Sequence, residues 1–540
     1  MALLMRTVIK TLFFSLFISN GLSAQDRYMV FFVDKSGTDF SIERPIEFLS
    51  QRAIDRRLRQ QLLIVENDLP VNAAYLERLS DLGAEVYFPT KWMNGVLVQM
   101  EADLIPRIQE LPFVKSIEYV APGAVLSDNV NGDSYAAFTE EEASASAFQN
   151  EILDIDIMHQ EGFRGEGMMV GVFDGGFSNI SQLAPLSHLF SSNRILLTKD
   201  FVINRNNVEN NESHGTRVLS VMASNAEDEY IGAAPAADYL LFVTEAPGEF
   251  RVEEYNWLFA AEMADSAGVD VINTSLGYSE FNDNSMNYSY ADMDGKTTVI
   301  TRAANLAASK GILLVNSAGN QGNDAWNFIT APADSEAVLA IGAINSAFSR
   351  ATFSSFGPSA DGRIKPDLSA LGQGTAVVTA NGTIANQNGT SFSSPIVAGL
   401  VTGFWQAFPS LTNFEVIQIM KESASQFASP DNELGYGIPS FVRAAELASN
   451  YETPIESGVV AYPNPITEET FTIALEPQYF EKEVILTLLD HHGKRLFETN
   501  IFPTQWKNRF EIDLVNALAG LYILVIQTSD QRTVKKLIKY

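Results

Sequence analysis

The pattern of hydrophobic and polar positions divides the chain into regions of different texture. From Tyr28 to about Val120, β-rich or alternating runs at 28–33, 84–88, 95–100 and 113–120 predict strands, and residues 45–59 predict a helix. The order is strand, helix, helix, strand, strand, helix, strand. This order favours a small α+β sandwich of the ferredoxin-like type.

The second region, from Met168 to about Ser449, carries continuous apolar runs. Strands are predicted at 168–173, 240–243, 271–276, 312–315 and 338–344, and helices at 253–268 and 297–310. Parallel strands have this pattern because helices cover both faces of their sheet. We therefore expect an α/β domain with a doubly wound parallel sheet.

After residue 451 the pattern changes from long apolar runs to short strands. Short strands predicted at 471–474, 484–489, 510–514 and 521–527 indicate an all-β sandwich.

Residues 127–150, rich in Ser, Ala, Asp and Glu, are typical of an exposed linker. Residues 1–24 have the basic start and short apolar run of a signal peptide. The expected divisions are 1–24, 25–123, 124–150 (linker), 151–450 and 455–540.

Composition excludes several classes of function. The net charge is −30, from 66 acidic and 36 basic residues, so a nucleic-acid partner is not expected. The chain has no cysteine, which excludes disulfides, thiolate metal sites and a cysteine nucleophile. Hydrophobic residues make up 46%, as in folded proteins.

Three short motifs in the second region carry candidate chemistry. Asp174 ends the strand at 168–173, His214 opens a helical run, and Ser391 lies at the start of a helix of small and apolar residues. A serine hydroxyl needs a base such as imidazole to take its proton, and the imidazole needs a carboxylate to orient it. Asn320, just past a strand, is a candidate donor to a developing oxyanion.

Each motif alone has an ordinary structural explanation. A strand-end aspartate can be a cap, His-Gly can start a helix, and Gly-Thr-Ser is a common loop string. The order Asp, His, Ser in these contexts is that of subtilisin. Residues 150–449 therefore resemble the subtilase family of serine peptidases, which implies a secreted serine endopeptidase that works through an acyl-enzyme.

The resemblance also implies roles for further residues. Ser275, Leu276 and Gly277 resemble the family's substrate-binding strand, which pairs with an extended peptide. The other wall of the first specificity pocket would be Ser317, Ala318 and Gly319. No cofactor is implied for the chemistry. Calcium sites are frequent in the family, but no ligand set can be mapped onto this sequence, and the acidic clusters at 227–229 and at 292 and 294 are interpreted as solvated loops.

The sequence departs from the family pattern at two places. Gly175 follows the aspartate where Thr or Ser is usual, and Phe392-Ser393 replaces Met-Ala after the serine. Neither change removes a reacting group, although the first could loosen the geometry around Asp174. A further string, Gly295 to Thr297, is similar to a phosphate loop but lacks the first glycine and is interpreted as a helix start.

The flanking regions carry resemblances of their own. Residues 25–123 are similar in position and strand order to a subtilase prodomain, a partner that folds and inhibits the enzyme; a permanent structural domain is the alternative. The basic side chains of its first helix suit either docking or solvation.

The C-terminal sandwich resembles type IX sorting domains, with Tyr-Pro-Asn-Pro at 462–465, Ala-Gly-Leu-Tyr at 519–522, and Lys535, Lys536 and Lys539 near its end. Edge lysines can also simply protect against strand pairing. The resemblance implies export through the periplasm and outer-membrane secretion machinery of a Gram-negative bacterium, to the surface or the medium.

Two other classes of function remain open. The chain could be a catalytically dead surface protein that binds peptides in its cleft, although such a protein would not need all four candidate site residues. It could also be an adhesin whose C-terminal sandwich binds carbohydrate. The main hypothesis is an endopeptidase acting on proteins outside the cell.

Overall fold

The computed structural model describes residues 25–123 and 146–539, except 210–211, 227–228, 247, 452–457, 463, 467–468, 491, 505–507 and 515–516. The predicted signal peptide and residues 124–145 of the predicted linker lie outside the described residues. No helix in the described part of the chain combines the length and apolar character that a membrane crossing requires.

The N-terminal domain has the predicted order of elements. They are the strands β1 (Asp26–Phe32), β2 (Glu85–Thr90), β3 (Gly95–Met100) and β4 (Val114–Ala121) and the helices α1 (Gln51–Arg59), α2 (Ala73–Asp81) and α3 (Ile105–Gln109). The strands form one antiparallel sheet in the order β2-β3-β1-β4. This is the ferredoxin-like arrangement, so the predicted α+β fold is confirmed.

The N-terminal sheet has two apolar faces because side chains alternate along its strands. One face, which includes Val30 and Val98, is covered by α2 and α3. The other face presents Met29 and Leu97 to apolar side chains of the second domain. The sheet is therefore sandwiched between its own helices and the neighbouring domain.

Helix α1 also docks on the second domain, through its arginines. Arg56 and Arg57 are buried and both pair with the buried Asp265. Arg52 pairs with Asp270. Of the two interpretations that the sequence left open for this basic helix, docking is the one observed for these three side chains.

The second domain is built on a parallel sheet flanked by helices. Its helices are α4 (Ala147–Glu151), α5 (Ile155–Gln160), α6 (Ser187–Ser191), α7 (His214–Ala223), α8 (Val252–Ala267), α9 (Val299–Ser309), α10 (Thr390–Ala407), α11 (Asn413–Glu422) and α12 (Phe441–Tyr451). Its strands are β5 (Met169–Asp174), β6 (Ile195–Asp200), β7 (Asn225–Ala226), β8 (Tyr230–Ile231), β9 (Asp238–Val243), β10 (Val271–Thr274), β11 (Leu313–Ser317), β12 (Val338–Ile344), β13 (Leu368–Leu371), β14 (Gln373–Val378) and β15 (Ile384–Asn388).

Seven of these strands form one parallel sheet in the order β13-β12-β11-β10-β5-β9-β6. One face packs on a core that includes α7, α10 and α11, and the other on a core formed with α8 and α9. The predicted doubly wound α/β architecture is confirmed. It brings the carboxyl ends of β5, β9, β10 and β11 to one edge, where ligands gather in such sheets.

The last residues of the predicted linker belong to this domain. Gln149, on α4, donates a hydrogen bond to the Tyr230 hydroxyl at 3.1 Å and accepts one from the Ala376 amide at 3.0 Å. Ser146, Gln149 and Asn150 are therefore buried, whereas the sequence predicted an exposed segment up to residue 150. The polar composition of this segment suggested exposure to solvent, but buried groups satisfy the polar side chain of Gln149 through hydrogen bonds.

The C-terminal domain is all-β, as predicted. Its strands are β16 (Val459–Tyr462), β17 (Thr470–Leu475), β18 (Val484–Asp490), β19 (Arg495–Ile501), β20 (Arg509–Asp513), β21 (Gly520–Gln527) and β22 (Arg532–Lys539). They form sheets in the orders β16-β17-β20 and β19-β18-β21-β22, whose facing side chains share one core. Lys535, Lys536 and Lys539 lie on β22, at the edge of the second sheet.

Short 3-10 helices connect many of these elements, at Pro45–Glu47, Glu66–Asp68, Ala102–Leu104, Ile180–Gln182, Ala184–Leu186, Asn284–Met286, Tyr290–Asp292 and Pro477–Tyr479.

Candidate active site

Asp174 is the last residue of β5, at the carboxyl edge of the parallel sheet. It is 1% exposed, and its Oδ1 accepts a hydrogen bond of 2.8 Å from the Gly175 amide. Its Oδ1 and Oδ2 lie 2.9 and 3.0 Å from Nδ1 of His214. A buried carboxylate in this position fixes the orientation of an imidazole and stabilises its protonated form.

His214 is the first residue of α7, as the sequence predicts. Glu212 Oε1 accepts hydrogen bonds from the amides of Ser213 and His214, at 2.8 and 2.7 Å, and so satisfies donors that a helix start leaves free. Gly215 lets the helix approach β5 closely, because a Cβ atom there would lie 2.9 Å from Cβ of Asp174. The start of the helix therefore sets the imidazole against the carboxylate.

The charges around His214 raise its pKa above the ordinary value of 6.5. Burial alone would lower this pKa, but the charge and hydrogen bond of Asp174 outweigh burial. Glu245 also raises the pKa, and Arg217 opposes it. The site thus favours a protonated imidazole, which a base must become during a proton transfer.

Ser391 is the second residue of α10, after Gly389 at the N-cap with φ of 152°. Its Oγ donates to the carbonyl of Ser275 at 3.3 Å, and Ser275 Oγ donates to the carbonyl of Ser391 at 2.9 Å. Ser394, one turn later, donates to Asn273 at 2.9 Å. These bonds fix the start of α10 on the end of β10.

The packing of α10 against α7 brings Ser391 towards His214. The ring of Phe392 lies 5.8 Å from the imidazole, centroid to centroid. Among the described residues, the Ser391 hydroxyl bonds to Ser275 and makes no hydrogen bond to His214. Catalytic hydrogen bonds between a nucleophile and its base are often long or poorly aligned without substrate and tighten only when it is bound.

Asn320 lies three residues after β11, exposed at the same edge of the sheet. Its Oδ1 accepts hydrogen bonds from the amide and the hydroxyl of Thr390, both at 2.9 Å. No acceptor among the described residues takes a hydrogen bond from its Nδ2. Thr390, the residue next to Ser391, therefore orients the side-chain amide of Asn320 and leaves the Nδ2 donors free.

The candidate substrate-binding residues flank the serine on neighbouring segments. Ser275, Leu276 and Gly277 directly follow β10, and Ser317 to Gly319 lie at the end of the adjacent β11. Asn316 joins the two segments, because its Nδ2 donates to the carbonyl of Leu276 at 3.0 Å. The structure thus brings together all the residues that the sequence singled out for the site.

The structure adds two carboxylates that sequence reasoning missed. Glu212 and Glu245 border Gly175: a Cβ atom at this glycine would lie 3.0 Å from Cγ of Glu212 and 3.4 Å from Oε2 of Glu245. Glu245 comes two residues after the strand β9, whose Val243 is paired with Asp174. That position, at the end of a strand beside the aspartate strand, is the signal that could have identified it.

No group of three or more His, Asp or Glu side chains among the described residues could hold a metal ion. Asp292 and Asp294 instead accept hydrogen bonds from nearby amides in turns. The amides of Lys296 and Thr297 donate to Asp294, so they satisfy a turn rather than surround a phosphate. Glu227 and Asp228, of the other acidic cluster, lie outside the described residues.

Comparison with known families gives matches to each of the three regions. The subtilase family matches residues 165–437. The Peptidase S8 propeptide domain of Bacteroidota matches residues 27–133, and the secretion system C-terminal sorting domain matches residues 460–540. All three resemblances inferred from the sequence are confirmed.

Relatives and solved structures agree with these matches. The chain is 28% identical over 401 residues to a thermostable alkaline protease of Halalkalibacterium halodurans, covering 74% of this chain and 96% of the relative. It is 27% identical over 366 residues to subtilisin NAT of Bacillus subtilis subsp. natto, covering 66% and 82%. The epidermin leader peptide processing serine protease of Staphylococcus aureus has a similar fold, with a TM-score of 0.53 and 16% identity over 79% of this chain and 99% of that one.

Proposed function

Since this chain belongs to the subtilase family of serine peptidases, we propose that it is a secreted endopeptidase with Asp174, His214 and Ser391 as its catalytic triad. The observation that carries the proposal is the contact of His214 Nδ1 with both carboxylate oxygens of the buried Asp174, at 2.9 and 3.0 Å. This contact leaves Nε2 of the imidazole for the serine. A base oriented in this way beside a serine at a helix start is the arrangement that acyl transfer requires.

The reaction proceeds through an acyl-enzyme. Ser391 turns from the Ser275 carbonyl to His214, gives its proton to Nε2, and its Oγ attacks the carbonyl carbon of the peptide bond. The tetrahedral intermediate collapses as His214 passes the proton to the leaving amine. A water molecule, deprotonated in turn by His214, attacks the ester, and the second collapse returns the proton to Ser391.

Asn320 stabilises the charge that develops on the carbonyl oxygen. Its Oδ1 is held by Thr390, so its Nδ2 can donate to the oxyanion without first reorganising. The backbone amides at the start of α10 supply the favourable end of the helix dipole. Base, nucleophile and donor are all side chains, so the chemistry needs no cofactor.

The substrate lies extended along Ser275, Leu276 and Gly277. Backbone hydrogen bonds to this segment bind the peptide independently of its side chains. The side chain before the cleaved bond enters the pocket between this segment and Ser317, Ala318 and Gly319. Ser275, at the start of this segment, accepts a hydrogen bond from Ser391. The bond to be cleaved is therefore held next to the serine.

Residues 25–123 act as a prodomain that inhibits the enzyme until it is cut away, leaving a peptidase of residues 151–450, with residues 146–150 packed on it, and a sorting domain of 455–540. The family match at residues 27–133 supports this role. Glu262 on α8 accepts hydrogen bonds from the amides of Lys91 and Trp92, at 2.8 and 3.0 Å. The interface combines these polar contacts with the apolar packing of Met29 and Leu97 against the second domain. Cleavage falls between about residues 122 and 152.

The sorting domain directs the protein out of the cell. A match to the secretion system C-terminal sorting domain implies secretion or surface location in Bacteroidota. The route leads through the periplasm and the outer-membrane secretion machinery. The substrates are therefore proteins outside the cell.

Hydrolysis of a denatured protein by the wild type, Ser391→Ala and Ser393→Ala tests the proposal. Ser393 lies on the same helix, and its hydroxyl donates a hydrogen bond to the Thr390 carbonyl at 3.0 Å. Ser391→Ala should lower hydrolysis by roughly 10⁶, a magnitude measured on subtilisin, while Ser393→Ala should remain active. A wild type that binds the substrate without cutting it would favour a peptide-binding surface protein.

A further inference from the structure

Residues 33–70 lie outside the ferredoxin-like fold of the N-terminal domain. They separate β1 from α2 and contain α1. Among the described residues, the apolar core of this domain draws on positions before 33 and after 70 and on none between them. Polar bonds join the segment to its own domain, such as that from Lys35 Nζ to the Lys91 carbonyl at 2.7 Å. We call residues 33–70 the docking arm.

One side of α1 meets the ends of two peptidase helices. Arg52, Arg56 and Gln60 are four residues apart, which places them on the same side of the helix. Arg52 Nε donates to the Gly268 carbonyl at 2.9 Å, and Arg56 Nε donates to the first carbonyl after α9 at 3.1 Å. Gln60 Nε2 donates to the Gly311 carbonyl at 2.7 Å. Carbonyls at the end of a helix have no partner within it and carry the negative end of its dipole, so α1 satisfies the ends of α8 and α9.

Glycines leave room for this contact. Gly268 follows α8 and Gly311 follows α9, with φ angles of 97° and 84°. A Cβ atom at Gly268 would lie 2.7 Å from Cγ of Arg52, and one at Gly311 would lie 2.7 Å from Nε2 of Gln60. Gln60 also accepts a hydrogen bond of 3.0 Å from the amide of Asn413, the first residue of α11. The arm therefore complements the ends of three helices.

This contact lies at the edge of the parallel sheet opposite the triad. The helix α8 leads into β10 and α9 leads into β11, so both helices end where these strands begin. Asp270, which pairs with Arg52, accepts a hydrogen bond of 3.0 Å from the amide of Met169, the first residue of β5. Asp174 is at the far end of this six-residue strand, which spans about 16 Å at the usual rise of a strand. The arm therefore binds the peptidase at a place remote from the cleft.

The sheet of the N-terminal domain contacts the peptidase through other residues. Met29 and Leu97 pack on its apolar side chains, and Glu262 on α8 accepts hydrogen bonds from amides between β2 and β3. The two contact areas meet at Asp265, which pairs with cations of both. Two contacts joined in one chain bind more tightly than either alone, because the second forms at a high effective concentration.

We propose that the docking arm is a second anchor of the prodomain, which binds an exosite at the ends of α8, α9 and α11 and retains the prodomain after the linker is cut. This inference rests on the proposed function, because it takes residues 25–123 as an inhibitor that has to be released. The exosite accepts a helix with a donor side chain at every fourth position. Release is slow while both anchors hold, and the loss of either anchor speeds it.

The first experiment follows the release of the prodomain from the full-length chain. Arg52→Gln with Gln60→Ala removes contacts with the helix ends, and Arg44→Gln with Gln51→Ala is the matched control at exposed positions of the same arm. Once the linker is cut, a serine-reactive inhibitor stops proteolysis, and gel filtration measures how fast the N-terminal fragment leaves the peptidase. We expect release to be about tenfold faster or more in the first variant than in the wild type and the control. Equal rates in all three would overturn the proposal.

The second experiment asks whether the arm opens separately from the sheet. Amide hydrogen exchange is measured in the uncut Ser391→Ala chain with the same two pairs of substitutions. Arg52→Gln with Gln60→Ala should speed exchange in residues 53–60 by about tenfold or more, because local opening depends on the contacts that hold each segment. The amides of Lys91 and Trp92, which are bonded to Glu262, should exchange as before.

Two results of the exchange experiment would overturn the proposal. Unchanged exchange in residues 53–60 would mean that the helix ends do not hold the arm. Equal acceleration there and at Lys91 and Trp92 would mean that arm and sheet leave as one body. A wild type that neither cuts its linker nor hydrolyses a denatured protein would instead contradict the proposed function. The exchange experiment uses an uncut, inactive chain, so it decides on the exosite even then.

Discussion

Arg57 of the N-terminal domain and Asp265 of helix α8 form an ion pair of 3.0 Å, and neither side chain is exposed to solvent. The same carboxylate pairs with Arg56 and Lys91, so one aspartate compensates three cations of the N-terminal domain. Burial would raise the pKa of Asp265, but the charges of Lys91, Arg57 and Arg56 hold it well below its usual value. This residue is the electrostatic centre of the interface between the two domains.

Asp265→Asn should weaken the attachment of the N-terminal domain by about 3–5 kcal/mol, because it leaves buried cations unpaired. The change is made in a Ser391→Ala chain, so that cleavage does not interfere, and stability is measured by urea unfolding. Asp55→Asn is the matched control, since Asp55 lies on the exposed side of α1. Equal unfolding curves for Asp265→Asn and its parent would show that the ion pairs contribute nothing to docking.

Asn320→Ala should lower kcat by about 10²–10³ with little change in KM, because the amide donates to the transition state. The magnitude was measured on subtilisin. Asn320→Asp separates this role from a structural one: it keeps the acceptor for Thr390 but has no N–H group. If Asn320 acts as the donor, both variants lose kcat. Recovery of kcat in Asn320→Asp would mean that the residue only supports Thr390.

The parts of the fold that could be predicted are those with a strong local pattern. The run at Met169–Asp174 is buried at every position and was identified as a parallel strand. The edge strand Ile195–Asp200 was not, because it is mostly half-buried and ends in polar residues. The hairpin strand Ile384–Asn388 was also missed, since its sequence is largely polar. Edge and hairpin strands depend on backbone pairing that composition does not reveal.

In the candidate site, too, residues with a local sequence motif could be predicted and residues placed by long-range packing could not. His214 and Ser391 lie in short motifs whose residue types indicate a base and a nucleophile. They could therefore be identified before the fold was known. Glu212 and Glu245 have no such motif, and glutamates in or near a loop are ordinarily solvated. Only the pairing of β5 with β9 puts Glu245 beside Asp174. Long-range packing, which one sequence does not specify, decides such contacts.

Deletion of residues 455–540 should trap the protease in the periplasm, because the sorting signal is lost. The activity of the remaining peptidase should persist, since the C-terminal domain has a core of its own. Fractionation of cells and medium, with an activity assay of each fraction, measures both effects. Replacing Lys535, Lys536 and Lys539 by glutamine tests the alternative role in edge protection: aggregation with normal export would support that role. Normal export of the deleted chain would contradict sorting.

The pH dependence of hydrolysis should report the environment of His214. The enzyme needs the neutral imidazole as its base, so kcat/KM falls as the pH is lowered through the pKa of His214. Asp174 and Glu245 raise this pKa, against burial and Arg217, so the acid midpoint for a substrate without lysine or arginine should lie above pH 6.5.

Glu245→Gln should move the midpoint to lower pH. The two groups titrate together, and the ionised carboxylate of Glu245 favours the protonated imidazole, whereas glutamine carries no charge. Glu161→Gln, at an exposed position at the end of α5, should leave the midpoint in place. A wild-type midpoint at or below 6.5 would mean that burial outweighs the carboxylates. A midpoint that Glu245→Gln leaves unchanged would mean that Asp174 alone sets the pKa, and that Glu245 does not act on the base.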